Sequence, residues 1–168
     1  MREFASPSAR AATLPRAVKV LYTAFCGFTC LGLMSCIGLY DGIVKFGART
    51  TPAELYEHLV GYYQAGIAPR KLLEVSHFHL FSVPLYLLVV GHLFLLCGLS
   101  ARIKAAFVTS AAILTLIHLA APWVVLLGGR ALAWIYPISG AGMLVGFAVL
   151  MGVPVFEMWS ARPERVRS

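Results

Sequence analysis

Residues 76–99 read SHFHLFSVPLYLLVVGHLFLLCGL, an apolar run without a single Asp, Glu, Lys or Arg. A helix needs about 20 mostly apolar residues to cross the hydrocarbon of a bilayer. Three further stretches have the same character, at about 17–40, 103–127 and 131–159. The chain as a whole is 60% hydrophobic and 12% charged, whereas a soluble domain carries about 25% charged residues. The sequence predicts an all-α integral membrane protein, an up-down four-helix bundle.

The connections support this topology. Only a few residues around 100–102 join the second stretch to the third, and Gly128-Gly129-Arg130 join the third to the fourth. Such short links make neighbouring helices antiparallel. We therefore expect one transmembrane domain over 17–159, with basic polar tails at 1–16 and 160–168.

The first loop is the long one. It contains Thr51-Pro52-Ala53-Glu54, a capping box with proline at the first helical position. A short helix from about Pro52 to Gln64 is predicted to lie along the membrane interface, with His58 exposed. In the last span, Gly142 and Gly146 form a pair of small residues suited to close helix packing.

Basic residues are distributed unevenly across the predicted spans. The formal net charge is +7, yet the charges sit at helix ends and tails and form no nucleic-acid-binding patch. The two tails and the second loop hold nine basic residues, and the opposite side holds five. The positive-inside rule then places both termini in the cytoplasm, consistent with a bacterial inner membrane protein.

Four histidines lie within or at the edge of the apolar stretches: His77, His79, His92 and His118. An ionisable side chain in hydrocarbon costs at least ~2.5 kcal/mol, so such residues usually face the bundle interior and have a function there. Imidazole is also a common ligand of haem iron, copper and zinc. The histidines are therefore the candidate site.

Depth within the membrane pairs two of these histidines. Counting back from the short second loop places His118 level with about residue 82, within ~5 Å of His79 in height and ~8 Å of His77. His77 and His79 are about 200° apart around a helix, so only one of them can face His118. We expect His79 and His118 to be the axial ligands of a b-type haem.

His92 has no histidine partner at its depth. It lies 13–15 residues beyond the His-x-His pair, the spacing of a helix that carries two stacked haems, and Cys26 and Met151 are roughly level with it. The simpler reading is a histidine hydrogen-bonded to a neighbour. The cysteines, including Cys30, Cys36 and Cys97, form no Cys-x-x-Cys pair, and we interpret them as small buried hydrophobes.

The run Glu74-Val75-Ser76-His77-Phe78-His79-Leu80-Phe81, followed by Gly91-His92, resembles a segment of small bacterial membrane proteins. In those proteins a Glu-x-x-His-x-His-Leu-Phe run opens a transmembrane helix, and some occur fused to or beside c-type cytochrome sequence. The resemblance implies a membrane electron-transfer setting, a c-type cytochrome partner and roles for Glu74, His77, His79 and His92. This chain lacks Cys-x-x-Cys-His and so carries no covalent haem motif. The layout is also similar to four-helix b-type cytochrome anchors of respiratory enzymes.

These observations predict an electron-transfer subunit of a respiratory or photosynthetic complex that binds haem b between the second and third helices. Arg70 and Lys71 are placed to pair with haem propionates, and Glu74 or His77 to exchange protons with a quinone. Such a chain is at most a non-catalytic or quinone-reactive subunit of an oxidoreductase. Two alternatives stay open: a cofactor-free structural subunit, and a copper- or zinc-binding membrane protein.

Overall fold

A computed structural model describes residues 10–44, 53, 54, 57 and 68–160, with side chains for 10–35, 53, 54, 57 and 70–160. Within this part of the chain the architecture is all-α, and four helices are long and apolar enough to cross a membrane. They are α1 (Arg16–Val44), α2 (Ala68–Leu95), α3 (Ala101–Gly128) and α4 (Ile135–Ser160). The prediction of an all-α membrane bundle is confirmed.

The first loop lies mostly outside the described residues. Of the interfacial helix predicted over Pro52–Gln64, only Ala53, Glu54 and Glu57 are described, and all three are helical. His58 lies outside the described residues. The division into a transmembrane domain and two tails stays a prediction.

Local sequence explains the turns that bracket α3. Ser100 precedes the helix, and its side-chain oxygen accepts a hydrogen bond from the Ile103 backbone N–H at 3.4 Å, which satisfies one of the free N–H groups of the first turn. At the other end, Gly129 has a φ of 87°, a conformation that favours glycine. A 3-10 turn, Arg130–Leu132, then leads into α4.

Small residues bring α3 and α4 together. A Cβ added to Gly146 would lie 3.2 Å from the Cβ of Ala111, and one added to Gly142 would lie 3.1 Å from Leu114. In lipid no hydrophobic force drives two helices together, because the lipid tails are as apolar as the side chains. Close packing at small residues stabilises the helix contact instead. The predicted glycine pair is therefore part of the α3–α4 contact.

Two contacts fix the register between α2 and α3. Trp123 Nε1 donates to Ser76 Oγ at 2.8 Å. A Cβ added to Gly91 would lie 3.8 Å from Val108. Both pairs follow one antiparallel register, which places His118 at the same depth as Phe81. The loop length predicted a depth level with about residue 82, one residue away.

A polar cluster closes the end of the bundle where the described N-terminal segment lies. We call Lys19, Lys104 and Glu157 the terminal clasp. Lys19 Nζ donates to the Met158 carbonyl at 2.6 Å, which ties α1 to the end of α4. Lys104 Nζ donates to the Leu95 carbonyl at 2.7 Å, at the end of α2. Cations at these positions satisfy free carbonyls and complement the helix dipoles.

Glu157 completes the terminal clasp from α4. Its two carboxylate oxygens accept from the Gly98 backbone N–H at 3.1 and 3.0 Å, holding the α2–α3 turn. The Ala11 N–H also donates to the Leu96 carbonyl at 2.9 Å, so the segment before α1 packs on the same turn. The histidine pair predicted to bind haem lies toward the opposite end.

A candidate site around two histidines

His79 lies on α2 and is half-buried. Its Nδ1 is 2.8 Å from the carbonyl oxygen of Val75, one turn earlier in the same helix. Because a carbonyl can only accept a hydrogen bond, Nδ1 carries the hydrogen in the neutral ring. Nε2 is left with its lone pair, as a metal-ligating imidazole requires.

His118 has the same arrangement with different partners. Its Nδ1 is 3.2 Å from Ser139 Oγ on α4. The Ser139 hydroxyl donates its single hydrogen to the Tyr136 carbonyl at 3.1 Å, so it accepts from His118. The Nδ1 of His118 therefore carries the hydrogen, and its Nε2 also keeps the lone pair.

Packing fixes the position of the His118 ring. The Tyr136 ring lies 4.6 Å away between centroids, with an interplanar angle of 37°. The ring also covers Gly140, where an added Cβ would lie 2.9 Å from His118 Cε1 and 3.3 Å from Nδ1. No side chain larger than glycine fits at position 140 unless the imidazole moves.

The two histidines are close in depth within the bundle. They lie at similar depth in the register set by Ser76 and Trp123. The His118 side chain contacts α4 at Tyr136, Ser139 and Gly140. The site is therefore at the junction of α2, α3 and α4, which is wider than the α2–α3 interface expected from the sequence.

A buried hydroxyl lies one turn from His118. Thr115 is one turn before His118 on α3 and only 4% exposed. Its Oγ1 is the one buried side-chain nitrogen or oxygen, among the described residues, that has no hydrogen-bond partner. A buried hydroxyl without a partner typically costs about 1–3 kcal/mol. The junction thus offers an unused polar atom as well as two Nε2 atoms, and imidazole nitrogens are among the axial ligands of haem iron.

His77 points away from this junction, as the spacing of the His-x-His motif predicts. It is exposed on α2, and its ring makes edge contacts with Phe81 at 5.1 Å and Phe78 at 6.0 Å between centroids.

Arg70, Lys71 and Glu74 form an exposed charged group one to two turns before the His-x-His motif. Glu74 lies 3.7 Å from Arg70 Nε and 3.4 Å from Lys71 Nζ, and the three side chains are 48–89% exposed. Exposed pairs of this kind contribute little to stability, so both cations remain able to bind an anion. The quinone and propionate roles of this group stay predictions.

His92 is exposed on α2, whereas Cys26 and Met151 are buried in the core with Leu93 and Phe94. His92 therefore faces away from the core in which Cys26 and Met151 lie, although the three residues are at about the same depth. A second haem held by His92 and either of them has no geometric support in the described part of the chain.

The cysteines are the remaining side chains that could ligate a metal. Cys26 and Cys97 are buried and Cys30 is exposed, while the side chain of Cys36 lies outside the described residues. Within the described ranges, no group of three or more His, Cys, Asp or Glu side chains could hold a metal ion.

Sequence reasoning missed the α4 side of the site: Tyr136, Ser139 and Gly140. The one available signal is their spacing, since residues three and four apart share a helix face. That spacing could not show that the face meets His118.

The comparisons with known proteins support the membrane architecture. Neither a curated protein nor a solved structure matches the chain. Residues 51–165, about two thirds of the chain, match a protein family described as a transmembrane helical domain. This range contains α2, α3 and α4, and with them both histidines of the site. The chain therefore belongs to the Aq_1264_TM family of transmembrane helical domains.

Proposed function

We propose that this protein is an integral membrane electron-transfer subunit that binds one b-type haem through the Nε2 atoms of His79 and His118. The observation that carries the proposal is that the two imidazole rings have the same tautomer, with the hydrogen on Nδ1. Each donates its Nδ1–H to a fixed oxygen, 2.8 Å away for His79 and 3.2 Å away for His118, and each keeps Nε2 free. Second-layer hydrogen bonds of this kind orient metal-binding histidines.

The protein residues orient the ligands and exclude water. Val75 and Ser139 select the tautomers, and Tyr136 and Gly140 hold the His118 ring. Haem, when bound, supplies one-electron redox chemistry, whose potential depends on ligation and burial.

The exposed charged group has a role in the same proposal. Arg70 and Lys71 pair with the haem propionates, in exchange for their exposed contacts with Glu74. Glu74 and His77 are both exposed on α2, and one of them would exchange protons with the quinone, giving them up as it is reduced and accepting them as the quinol is oxidised. Electrons then pass to a partner redox protein, such as a c-type cytochrome, within a respiratory or photosynthetic complex.

We also propose a bacterial inner membrane location with both termini in the cytoplasm. The basis is the excess of basic residues in the tails and the second loop. The terminal clasp would then lie at the cytoplasmic end, and the histidine pair toward the other side. The chain would be a non-catalytic or quinone-reactive subunit of an oxidoreductase complex.

One observation favours a second candidate, a cofactor-free packing subunit. The His118 ring is satisfied at Nδ1 and stacked on Tyr136, which is also how a structural histidine is accommodated between helices. The two candidates differ at Nε2, which binds iron in the first and nothing in the second. A copper or zinc protein is the third candidate.

The deciding measurement is the reduced-minus-oxidised visible spectrum of the purified protein, with haem quantified as its pyridine complex. We expect a b-type spectrum with about one haem per chain. His118→Ala and His79→Ala should abolish it, while His77→Ala, on the other face of α2, should retain it. A featureless spectrum from folded parent protein would reject the haem proposal. Elemental analysis of the same sample then separates a copper or zinc protein from a packing subunit.

A further inference from the structure

The face of α2 that points away from the bundle carries a regular stripe. Its members alternate at spacings of three and four residues, and every one of them is exposed: Phe78, Phe81, Leu85, Leu88, His92 and Leu95. We call this set the outer stripe. Alternating spacings of three and four are those of helices packed in left-handed pairs. In the described part of the chain, no helix packs against the outer stripe.

His92 is the polar member of the outer stripe. Lys104 Nζ binds the Leu95 carbonyl at the end of α2, so His92 lies about one turn, ~4.5 Å, further into the membrane than that charge. Side chains on a helix lean toward its N-terminus. For His92 this direction leads deeper into the hydrocarbon rather than toward the water.

An outward-facing imidazole at this depth needs a partner. A polar group in hydrocarbon without a hydrogen bond is costly. His92 is exposed to the surroundings of the bundle, so its partner must come from another molecule.

We propose that the outer stripe is the interface of a homodimer, in which α2 pairs in parallel with α2 of a second copy. A two-fold axis along the membrane normal brings each stripe residue against its own counterpart at the same depth. A neutral imidazole has one donor and one acceptor, so His92 and the partner's His92 complement each other. The remaining members are all apolar, so the pairing brings no like charges together.

The dimensions agree with a membrane-spanning contact. From Phe78 to Leu95 the outer stripe extends ~26 Å along the helix, close to the ~30 Å thickness of the hydrocarbon. Phe78 and Phe81 at one end are 72% and 71% exposed, and Leu88 near the middle is 67% exposed. The pairing would cover these large side chains along most of the bilayer.

Cysteine crosslinking in lipid nanodiscs or vesicles tests the interface. Leu88→Cys lies in the outer stripe, and Leu116→Cys on α3 is its matched control, since the parent leucines are 67% and 63% exposed. The parent, with its native cysteines, gives the background. We expect oxidation to give a reducible dimer at least about five times more abundant for Leu88→Cys than for Leu116→Cys. Equal crosslinking of both variants would overturn the proposal.

His92 itself is tested by energy transfer between labelled copies at increasing lipid dilution. We expect His92→Ala to raise the dimer dissociation constant about 3- to 30-fold, the range for hydrogen bonds between membrane helices. His92→Asn should restore much of the loss, because an amide also has a donor and an acceptor. Leu116→Ala on α3, at an exposed position away from the outer stripe, is the control. A parent protein that stays monomeric, or a His92→Ala variant that dimerises like the parent, would show that lipid or another protein covers this face.

Discussion

His118 and Ser139 are joined across the α3–α4 interface by a hydrogen bond of 3.2 Å between Nδ1 and Oγ. Because Ser139 also donates to the Tyr136 carbonyl, its hydroxyl is held as an acceptor for the imidazole. This bond sets the tautomer of His118 and the direction of its ring. The fourth helix thus determines how a histidine of the third can act.

Replacing Ser139 should change the electronic properties of the site. An acceptor at Nδ1–H makes the opposite nitrogen a stronger donor to oxidised iron. In the haem-bound protein that we propose, Ser139→Ala should therefore raise the midpoint potential by about 20–60 mV, the equivalent of a hydrogen bond of 0.5–1.5 kcal/mol. Redox titration measures the shift. Ser82→Ala, which removes an exposed hydroxyl bonded to the Phe78 carbonyl, is the control, and equal potentials for both variants would contradict the role of Ser139.

Position 140 should tolerate no side chain. A Cβ there would lie 2.9 Å from His118 Cε1, so Gly140→Ala should displace the imidazole and cost about 1–3 kcal/mol of stability through overpacking. We expect loss of the haem spectrum and a lower Tm. Gly152→Ala on the same helix is the control, because no neighbouring atom lies within 4 Å of its added Cβ. A Gly140→Ala variant as stable and as coloured as Gly152→Ala would argue against the described packing.

Glu157 should stabilise the bundle more than the exposed Glu74 does. It accepts the Gly98 N–H with both oxygens, and Glu157→Ala should lower the free energy of unfolding by about 1–2 kcal/mol. Glu74→Ala breaks only exposed ion pairs and should cost under about 0.5 kcal/mol. Denaturant unfolding in mixed micelles, followed by tryptophan fluorescence, compares the two. Equal losses would show that the terminal clasp contributes no more than a surface pair.

The Cys97 thiol should resist alkylation. It lies in the α2–α3 turn, where burial, followed by the nearby Glu157 carboxylate, raises the pKa of the thiol to about 12 from its usual 9.0. At pH 8 its reactive thiolate is then about a thousandfold scarcer than in an ordinary cysteine. Maleimide labelling followed by mass spectrometry should leave Cys97 unmodified until the pH is raised beyond 9 toward 12. Ala101→Cys, at the exposed first position of α3, should react within minutes, and equal rates for the two would contradict this assignment.

The sequence predicted those features that chain length controls. Hydrocarbon thickness fixes the length of a spanning helix, so the apolar runs indicated four helices. A short turn fixes the relative depth of the helices it joins, so His118 could be placed within one residue of its observed level opposite Phe81. Haem ligation by His79 and His118 stays a prediction.

Rotation of each helix about its own axis was harder to predict. Nothing in the run that contains Ser139 and Gly140 indicates that this face meets His118, because apolar residues occur all around α4. For the same reason the sequence did not show that His92 faces away from the bundle. In a membrane helix, polar and apolar faces differ too little for a single sequence to give the rotation.

The terminal clasp has a consequence for how the protein matures. Lys19 near the start of α1 binds the carbonyl of Met158 at the end of α4, and Trp159 donates to Thr23 at 3.0 Å. Neither bond can form while the ribosome is still delivering the first three helices to the membrane. Until α4 inserts, the Lys19 ammonium cannot bind the Met158 carbonyl, and these hydrogen bonds between α1 and α4 are missing. Completion of the fold is thereby coupled to insertion of the helix that also positions His118.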